Sequence, residues 1–530
     1  MPVVAEILRN SAREHRERLA LVDTSDASKY TYLQMDSYFN RVANALAALG
    51  LRPGDHVGVL QRNSPHWIAC EGGIAKAGMV TIPLNTYSSP RELAWVLRHS
   101  EARAVIFSAE EAPQVGAVRD EVPDCRVFAY LAKQGRDAPS WAIDLADVVG
   151  TASDRDPGRD IDPMQPHRIM YTSATTGVPK GVICPNQVWC DSILTMLANQ
   201  LRDVTEQDRF LAATPLTHMA IGFFWPFFVR GGATVTMRRF DVAQACELIA
   251  RYEISHLVLV PTMLIMLINY LKQDERAMRC LRSGSLRALF YGGSPIPPTV
   301  IRDAERMFGP ILNQQYGLTE LLSTHPSMAV THLSPRWHSE KIASCGRPLI
   351  GTVIRVVDDH GAAVPPGEVG EIVVRAHEAG GGYWKQPDGE LGAFQKGWIH
   401  TGDVGWVDED GFLYIKDRKN DMIITGGLNV YPAEVESVLH EHPSVSQCAV
   451  VGVPDSKWIE VPWAVVVRNP GHSASEVELI EFVRSRLAHY KAPKRVVFRD
   501  ELPVSPIGKV LRRSLREQLS KALGEKPKGA

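Results

Sequence analysis

Tyr171-Thr172-Ser173-Ala174-Thr175-Thr176-Gly177-Val178-Pro179-Lys180-Gly181 is the stretch on which the reading of this chain turns. It follows the strand-like Arg168-Ile169-Met170 and gathers hydroxyl residues, two glycines and a lysine within a few positions. Small residues let a backbone approach a polyphosphate closely. Hydroxyl and N–H groups then donate to its oxygens, and the lysine adds positive charge. The GxxxxGK[ST] spacing of a Walker A loop is absent, and composition alone leaves a polar surface loop open as the alternative.

Outward from this loop, up to about residue 330, short β-branched runs alternate with longer helical stretches. Val57 to Leu60, Val80 to Leu84, Ala104 to Phe107, Thr234 to Met237 and Leu257 to Val260 have strand length. Met35 to Leu49 and Pro90 to Leu97 repeat their apolar residues at helical intervals. Such alternation indicates α/β layers with parallel sheet, whose ligands sit at the carboxyl ends of the strands. From about residue 350 the texture turns β-rich: Val353 to Val357, Glu371 to Val374, and Gly405 to Ile415 with a hairpin turn at Asp408-Glu409-Asp410-Gly411. The charged run Lys416 to Asp421 suggests a domain boundary, giving a large unit over 1–417 and a small α+β unit over 418–530. In the small unit Ala449 to Val453 and Ala464 to Val467 read as strands. Val477, Ile480, Val483 and Leu487 mark one face of a helix.

A chain of 530 residues exceeds what one compact core usually accommodates. Lys plus Arg total 58 against 60 Asp plus Glu, a near-balance that disfavours a nucleic-acid partner. The eight cysteines form no CxxC pair or zinc spacing, so reduced, isolated thiols are expected. The N-terminal segment lacks the apolar core of a signal peptide and reads as an amphipathic helix with Val4, Ile7 and Leu8 on one side. The most apolar run, Leu257 to Ile268, is short for a membrane span and is broken by Pro261; it reads as a buried strand followed by a helix. No integral membrane segment and a cytoplasmic location are the expectations. Oligomeric state is not legible.

Further blocks carry chemistry. Thr214-Pro215-Leu216-Thr217-His218-Met219-Ala220-Ile221-Gly222-Phe223-Phe224 sets a histidine against apolar side chains, and an isolated histidine there is ordinarily a core residue. Met219, Ala220, Ile221 and Phe223 are candidates for an apolar wall. The block contains no Asp or Glu to pair a substrate ammonium, which disfavours an α-amino acid. In Tyr291-Gly292-Gly293-Ser294-Pro295 the glycines would let a flat ring lie on the backbone, and in Gln314-Gln315-Tyr316-Gly317-Leu318-Thr319-Glu320 the tyrosine could stack on it. Thr319 and Glu320 supply hard oxygens of the kind Mg²⁺ takes from protein beside phosphates. Ser294 lacks the second glycine of a G-x-S-x-G elbow. Trp398-Ile399-His400-Thr401-Gly402-Asp403 ends in a carboxylate that could accept from both hydroxyls of a ribose.

The motif TSATTGVPKG resembles the phosphate loop of the adenylate-forming superfamily, which comprises acyl-CoA synthetases, peptide-synthetase adenylation domains and firefly-type luciferases and whose usual pattern is TSGTTGxPKG. The other blocks follow in that family's order, so the resemblance spans nearly the whole chain. It implies ATP, Mg²⁺ and coenzyme A as cofactors and a carboxylic acid as substrate. Residue by residue, it implies phosphate contacts from Thr172, Ser173, Thr175, Thr176, Gly177, Lys180 and Thr319, and a metal held near Thr176 and Glu320. Gly292, Gly293, Ser294, Gln315, Tyr316 and Gly317 match the nucleotide-binding motifs, Asp403 and Arg418 the ribose contacts, and His218 the border of the carboxylate pocket. Lys509, in Pro503-Val504-Ser505-Pro506-Ile507-Gly508-Lys509-Val510, matches the family's adenylation lysine. Gly426 and Gly427 match the segment along the thiol channel, presented when the mobile C-terminal domain reorients.

Two departures are visible. Ala174 replaces the usual glycine, at a cost of about 1 kcal/mol if that position needed positive φ, so ordinary dihedrals are expected there. Asn420 occupies the hinge position, where other members often carry Asp or Lys. The expected activity is an acid–CoA ligase acting through an acyl-adenylate on a medium- or long-chain fatty acid. Aryl or alicyclic acids come second, and an enzyme serving a carrier protein, a luciferase-like oxidase and a degenerate nucleotide-binding scaffold are the other readings. Since the sequence stops at Ala530, soon after Lys509, no fused carrier domain is expected.

Overall fold

The computed structural model describes residues 2–131, 138–172, 179–282, 284–294, 296–321, 329–331, 341–377, 379–386, 393–419, 421–425, 428–455, 458–504 and 510–524. Its first half is built on two mostly parallel sheets. One has seven strands; at its centre Ala104–Phe107, His56–Leu60, Val80–Pro83 and Pro166–Tyr171 lie side by side in parallel, and Gly181–Pro185 adds antiparallel at one edge. The other has eight, with Leu312–Tyr316, Ala288–Gly292, His256–Leu259, Arg209–Ala212, Ala233–Thr236 and Leu19–Asp23 parallel in that order. Strands such as His56–Leu60 and Ala104–Phe107 are buried at every residue, which is why they read as unbroken apolar runs.

Helices Tyr32–Ala48, Pro65–Lys76, Asn186–Asn199 and Met219–Val229 pack between the two sheets in one core containing Val57 and Ile106 of the first sheet and Phe210 and Val258 of the second. The outer faces are covered separately, by Pro90–His99 on the seven-stranded sheet and by Val242–Arg251 and Pro261–Gln273 on the eight-stranded one. Local chemistry sets the helix starts. Thr31 accepts from Gln34 N at 3.2 Å while the Gln34 side chain accepts from Thr31 N at 2.8 Å, and Pro261 occupies a first turn where its missing N–H costs nothing. Leu257 to Ile268 is thus a strand and then a helix.

An antiparallel sheet follows, in which Trp398–Val407 pairs with Gly370–Ala376 on one side and Leu413–Arg418 on the other. The hairpin joining Trp398–Val407 to Leu413–Arg418 turns where Asp408 accepts from the backbone N of Asp410 and Phe412, at 3.0 and 2.8 Å. The fourth sheet joins Ile423–Thr425, Leu428–Val430, Val445–Asp455, Ile459–Arg468 and Arg495–Phe498, with its own cores against helices Pro432–Leu439, Glu476–Arg484 and Arg512–Gly524. Arg418 is the last residue of the third sheet and Ile423 the first of the fourth. This is the mixed α/β architecture expected, a large N-terminal part with a β-rich subdomain and a small α+β C-terminal part.

The helix Glu476–Arg484 requires one correction: Leu479 and Val483 are its buried residues, whereas Val477 is 69% exposed. Ile480 and Leu487 pack at the margin of that core. Among the described residues, no helix is long and apolar enough to cross a membrane, and Cys70, Cys125, Cys184, Cys190, Cys246, Cys345 and Cys448 are buried and form no disulfide.

Candidate active site

The motif residues converge where parallel strands end. Tyr171 and Thr172 close the strand Pro166–Tyr171, Gly292 to Ser294 follow Ala288–Gly292, and Tyr316 to Glu320 follow Leu312–Tyr316. His218 lies beyond the end of Arg209–Ala212. These are the carboxyl edges at which open parallel sheets gather ligands.

Thr172 and Lys180 stand on the two sides of the hydroxyl-rich loop and are tied together, Thr172 N donating to Lys180 O at 3.0 Å. Ser173, Ala174, Thr175, Thr176 and Gly177 lie outside the described residues, as do Asn420, Gly426, Gly427 and Lys509. The strand leaving the loop, Gly181–Pro185, is overlaid by the segment Gly380 to Trp384. Ile183 N donates to Gly382 O at 3.0 Å, Gly381 N to Ile183 O at 2.8 Å and Trp384 N to Gly181 O at 2.7 Å. Gly380 N reaches the Glu320 carbonyl at 2.9 Å, and Tyr383 Oη donates to Glu320 Oε1 at 2.7 Å. The Tyr383 ring also lies under Lys180, whose Nζ is 4.9 Å from the ring centroid. Burial first, and then the Glu320 charge, hold the Tyr383 phenol above its ordinary range, so it stays protonated and donates.

The second cluster centres on Asp403. Tyr316 Oη donates to Asp403 Oδ2 at 2.6 Å and Arg418 Nε to Oδ1 at 3.1 Å. Asp403 and Arg418 are cross-strand partners in the third sheet, so strand pairing sets their contact, while Tyr316 arrives from the eight-stranded sheet. Asp403 is itself buried, and its charge is the first cause raising the Arg418 guanidinium above its usual value. Burial raises Tyr316 well above an ordinary phenol, with Asp403 adding to the effect. A fixed anion with two committed donors can still accept from further hydroxyls through its remaining lone pairs.

Gly292 has a reason the sequence did not reveal. It stands opposite Gln315 in the parallel register, and a Cβ there would lie 2.2 Å from the Gln315 carbonyl oxygen. Gly293 follows at φ +90°, a conformation side chains resist. Gln315 is buried and its amide nitrogen donates to Gln200 Oε1 at 2.9 Å.

His218 is the residue preceding the helix Met219–Val229. Behind it Ala220, Ile221 and Phe223 are fully buried, and Phe223 packs against Phe210 and Phe290 at centroid distances of 5.4 and 4.9 Å. Of the wall candidates, Met219 alone is only partly buried. The segment entering His218 is pinned by Asn63, whose amide nitrogen donates to Ala212 O at 3.0 Å and Thr214 O at 2.8 Å, while its oxygen accepts from Leu216 N at 2.8 Å. Asn63, Tyr383 and the glycines before it went unnoticed in the sequence. The run Ala379-Gly380-Gly381-Gly382-Tyr383-Trp384 is the signal that could have drawn attention.

Among the described residues no group of three or more His, Cys, Asp or Glu side chains could hold a metal alone. Mg²⁺ associated with phosphates keeps its waters and takes one or two protein oxygens. The single Glu320 carboxylate, in the turn Thr319–Leu321 with a neighbouring hydroxyl, fits that demand.

A family model described as AMP-binding enzyme matches residues 8–384, and the AMP-binding enzyme C-terminal domain matches 434–509. A medium/long-chain-fatty-acid–CoA ligase of Mycobacterium tuberculosis is 35% identical over 504 residues, 93% of this chain and 86% of that protein. A feruloyl-CoA synthase of Amycolatopsis is 35% identical over 494 residues, 92% of this chain and 94% of that protein. Among solved structures, an anthranilate CoA ligase in complex with anthranoyl-AMP superposes with a TM-score of 0.88 at 26% identity, covering 99% of this chain and 98% of that one. ATP-bound MatB from Rhodopseudomonas palustris gives 0.86 at 28% identity, covering 98% and 99%.

Proposed function

The chain belongs to the AMP-binding enzyme family, the adenylate-forming superfamily that includes acid–CoA ligases, and from that premise we propose that it converts a carboxylic acid to its acyl-adenylate with MgATP and then to the acyl-CoA. A free carboxylate resists attack because it is anionic and would expel a poor leaving group. Its oxygen displaces pyrophosphate from the α-phosphorus of ATP, and the mixed anhydride then yields to a thiol, with AMP leaving. The first step brings anions together, so fixed positive charge at the reacting phosphorus contributes most.

The carrying observation is the pair of polar clusters at the strand ends. Asp403, held by Tyr316 and Arg418, is the acceptor proposed for the ribose hydroxyls, and Lys180 and Glu320 meet at Tyr383 beside the loop proposed to take the phosphates. Mg²⁺, when bound with the nucleotide at Glu320 and Thr176, would neutralise phosphate charge. Lys509 supplies an ammonium to the adenylation step, and Gly426 and Gly427 border the path of the thiol. We assign 1–417 and 418–530 as the two units that bring these groups together. His218, before an apolar helix and with no carboxylate in its segment, borders the pocket for an uncharged acyl group.

A medium- or long-chain fatty acid is the first substrate proposed, in line with the M. tuberculosis relative. An aryl acid is the second reading, in line with the Amycolatopsis relative named as a feruloyl-CoA synthase. Pyrophosphate release across acids of graded length and ring content separates the two. Lys509→Ala tests the mechanism. The adenylation half-reaction should fall about 10²–10³-fold, the usual loss for a single electrostatic group, with transfer from preformed acyl-adenylate much less affected. Equal losses in both halves would contradict the assignment.

A further inference from the structure

A cation and an anion assigned to the same nucleotide stand near each other in this cleft, and one neutral side chain touches both. Tyr383 donates its hydroxyl to Glu320 Oε1 at 2.7 Å and presents its ring to the Lys180 ammonium, 4.9 Å from the centroid. The tyrosine is itself fixed. It bridges to Val182 across the strand that leaves the phosphate loop, and Phe394 packs edge-on against its ring at 5.3 Å. Trp384, next in sequence, donates its indole N–H to His99 O at 3.1 Å. Gly380 before it brings the segment against Val182 and the Glu320 backbone: a Cβ there would lie 2.8 Å from Val182 Cγ1 and 3.2 Å from the Glu320 carbonyl oxygen.

A flexible lysine and a glutamate left to each other would pair directly, and each would neutralise the charge that the other must offer to ligand. A phenol avoids this. Its O–H satisfies the carboxylate without cancelling its charge, and its π face holds the ammonium without supplying an anion. We propose that Tyr383 is a positioning residue that keeps Lys180 and Glu320 apart, both charged and both oriented for MgATP. The inference rests on the assignment of Glu320 to the metal and Lys180 to phosphate made above.

The test is Tyr383→Phe, which keeps the ring and removes the hydroxyl, alongside Tyr383→Leu, which removes both contacts. Two readouts are taken: the affinity for ATP with and without Mg²⁺ by calorimetry, and the Mg²⁺ concentration giving half-maximal acid-dependent adenylation. Y383F should weaken ATP binding about tenfold in the presence of Mg²⁺ and little in its absence. Y383L should also weaken metal-free ATP binding, through loss of Lys180. Because Tyr383 acts through Glu320, Y383F should add no further loss of Mg²⁺ dependence in a Glu320→Gln background. Additive losses in that double variant, or a Y383F enzyme with unchanged metal dependence, would overturn the inference while leaving the ligase reading intact. If E320Q alone leaves the metal dependence unchanged, the assignment of Glu320 falls instead.

Discussion

Substituting Gly292 by alanine inserts one carbon between two parallel strands at the point where both hand over to the turns proposed to hold the nucleotide. The added Cβ would sit 2.2 Å from the Gln315 carbonyl oxygen and 3.0 Å from its carbonyl carbon. An ordinary contact of this kind needs roughly another 1 Å, and both atoms belong to backbone, so no side-chain rotation relieves it. The strands Ala288–Gly292 and Leu312–Tyr316 must part at their ends, carrying Gly293 and Ser294 away from Tyr316. A misplacement of about 1 Å can cost about 10²-fold in rate, so kcat/KM for ATP in adenylation should fall by roughly that factor. The loss should appear in ATP rather than in the acid, because His218 follows a different strand, Arg209–Ala212. Pyrophosphate release with ATP and acid varied in turn measures both. An alanine variant within threefold of wild type for ATP would show that the strand separation does not set nucleotide geometry.

Other consequences are equally open to measurement. Asn63→Leu takes from Thr214 O and Leu216 N their side-chain partner in a buried place, each worth about 1–3 kcal/mol, while Ala212 O keeps the Met237 N–H; KM for the acid should rise at least about tenfold with KM for ATP little changed. Asp417, the buried residue before Arg418, accepts from Ala433 N at 2.9 Å in the first turn of the helix Pro432–Leu439, and burial pushes its carboxyl up from 3.8 to about 6. A raised value means that the observed arrangement holds the proton more tightly than the unfolded chain does. Its contribution, about 3 kcal/mol at about 1.4 per unit, is therefore fully present below pH 3.8 and lost as pH rises through about 6. Limited proteolysis between Arg418 and Ile423 should accelerate between about pH 5 and 7 in the wild type, and the dependence should flatten in Asp417→Asn.

Much of the scaffold was legible because burial on both faces leaves a mark in sequence. Ala104 to Phe107 is a strand to the residue, and Pro261 separates strand from helix as its missing N–H requires. Val477 was misread because it falls in helical phase with Ile480 and Val483 although the side facing the sheet centres on Leu479 and Val483. The charged run at 416–421 reads in sequence as a domain boundary; Lys416, Asp417 and Arg418 complete a strand, and the charges of Arg418 and Asp417 serve the contacts to Asp403 and Ala433. Within the site, chemistry-bearing residues such as Asp403 and Glu320 stood out by type. Their supports did not. Asn63 reaches acceptors 149 and 151 positions away, and Tyr383 reaches Glu320 across 63, separations over which no local periodicity exists.

The central claim is that a carboxylate attacks the α-phosphorus of ATP before any thiol takes part. Exchange of labelled pyrophosphate into ATP, followed with coenzyme A left out, addresses it directly. The account expects exchange that needs both the acid and Mg²⁺ and proceeds without thiol. Exchange that requires coenzyme A, or ADP and phosphate as the products of acid-dependent turnover, would contradict it.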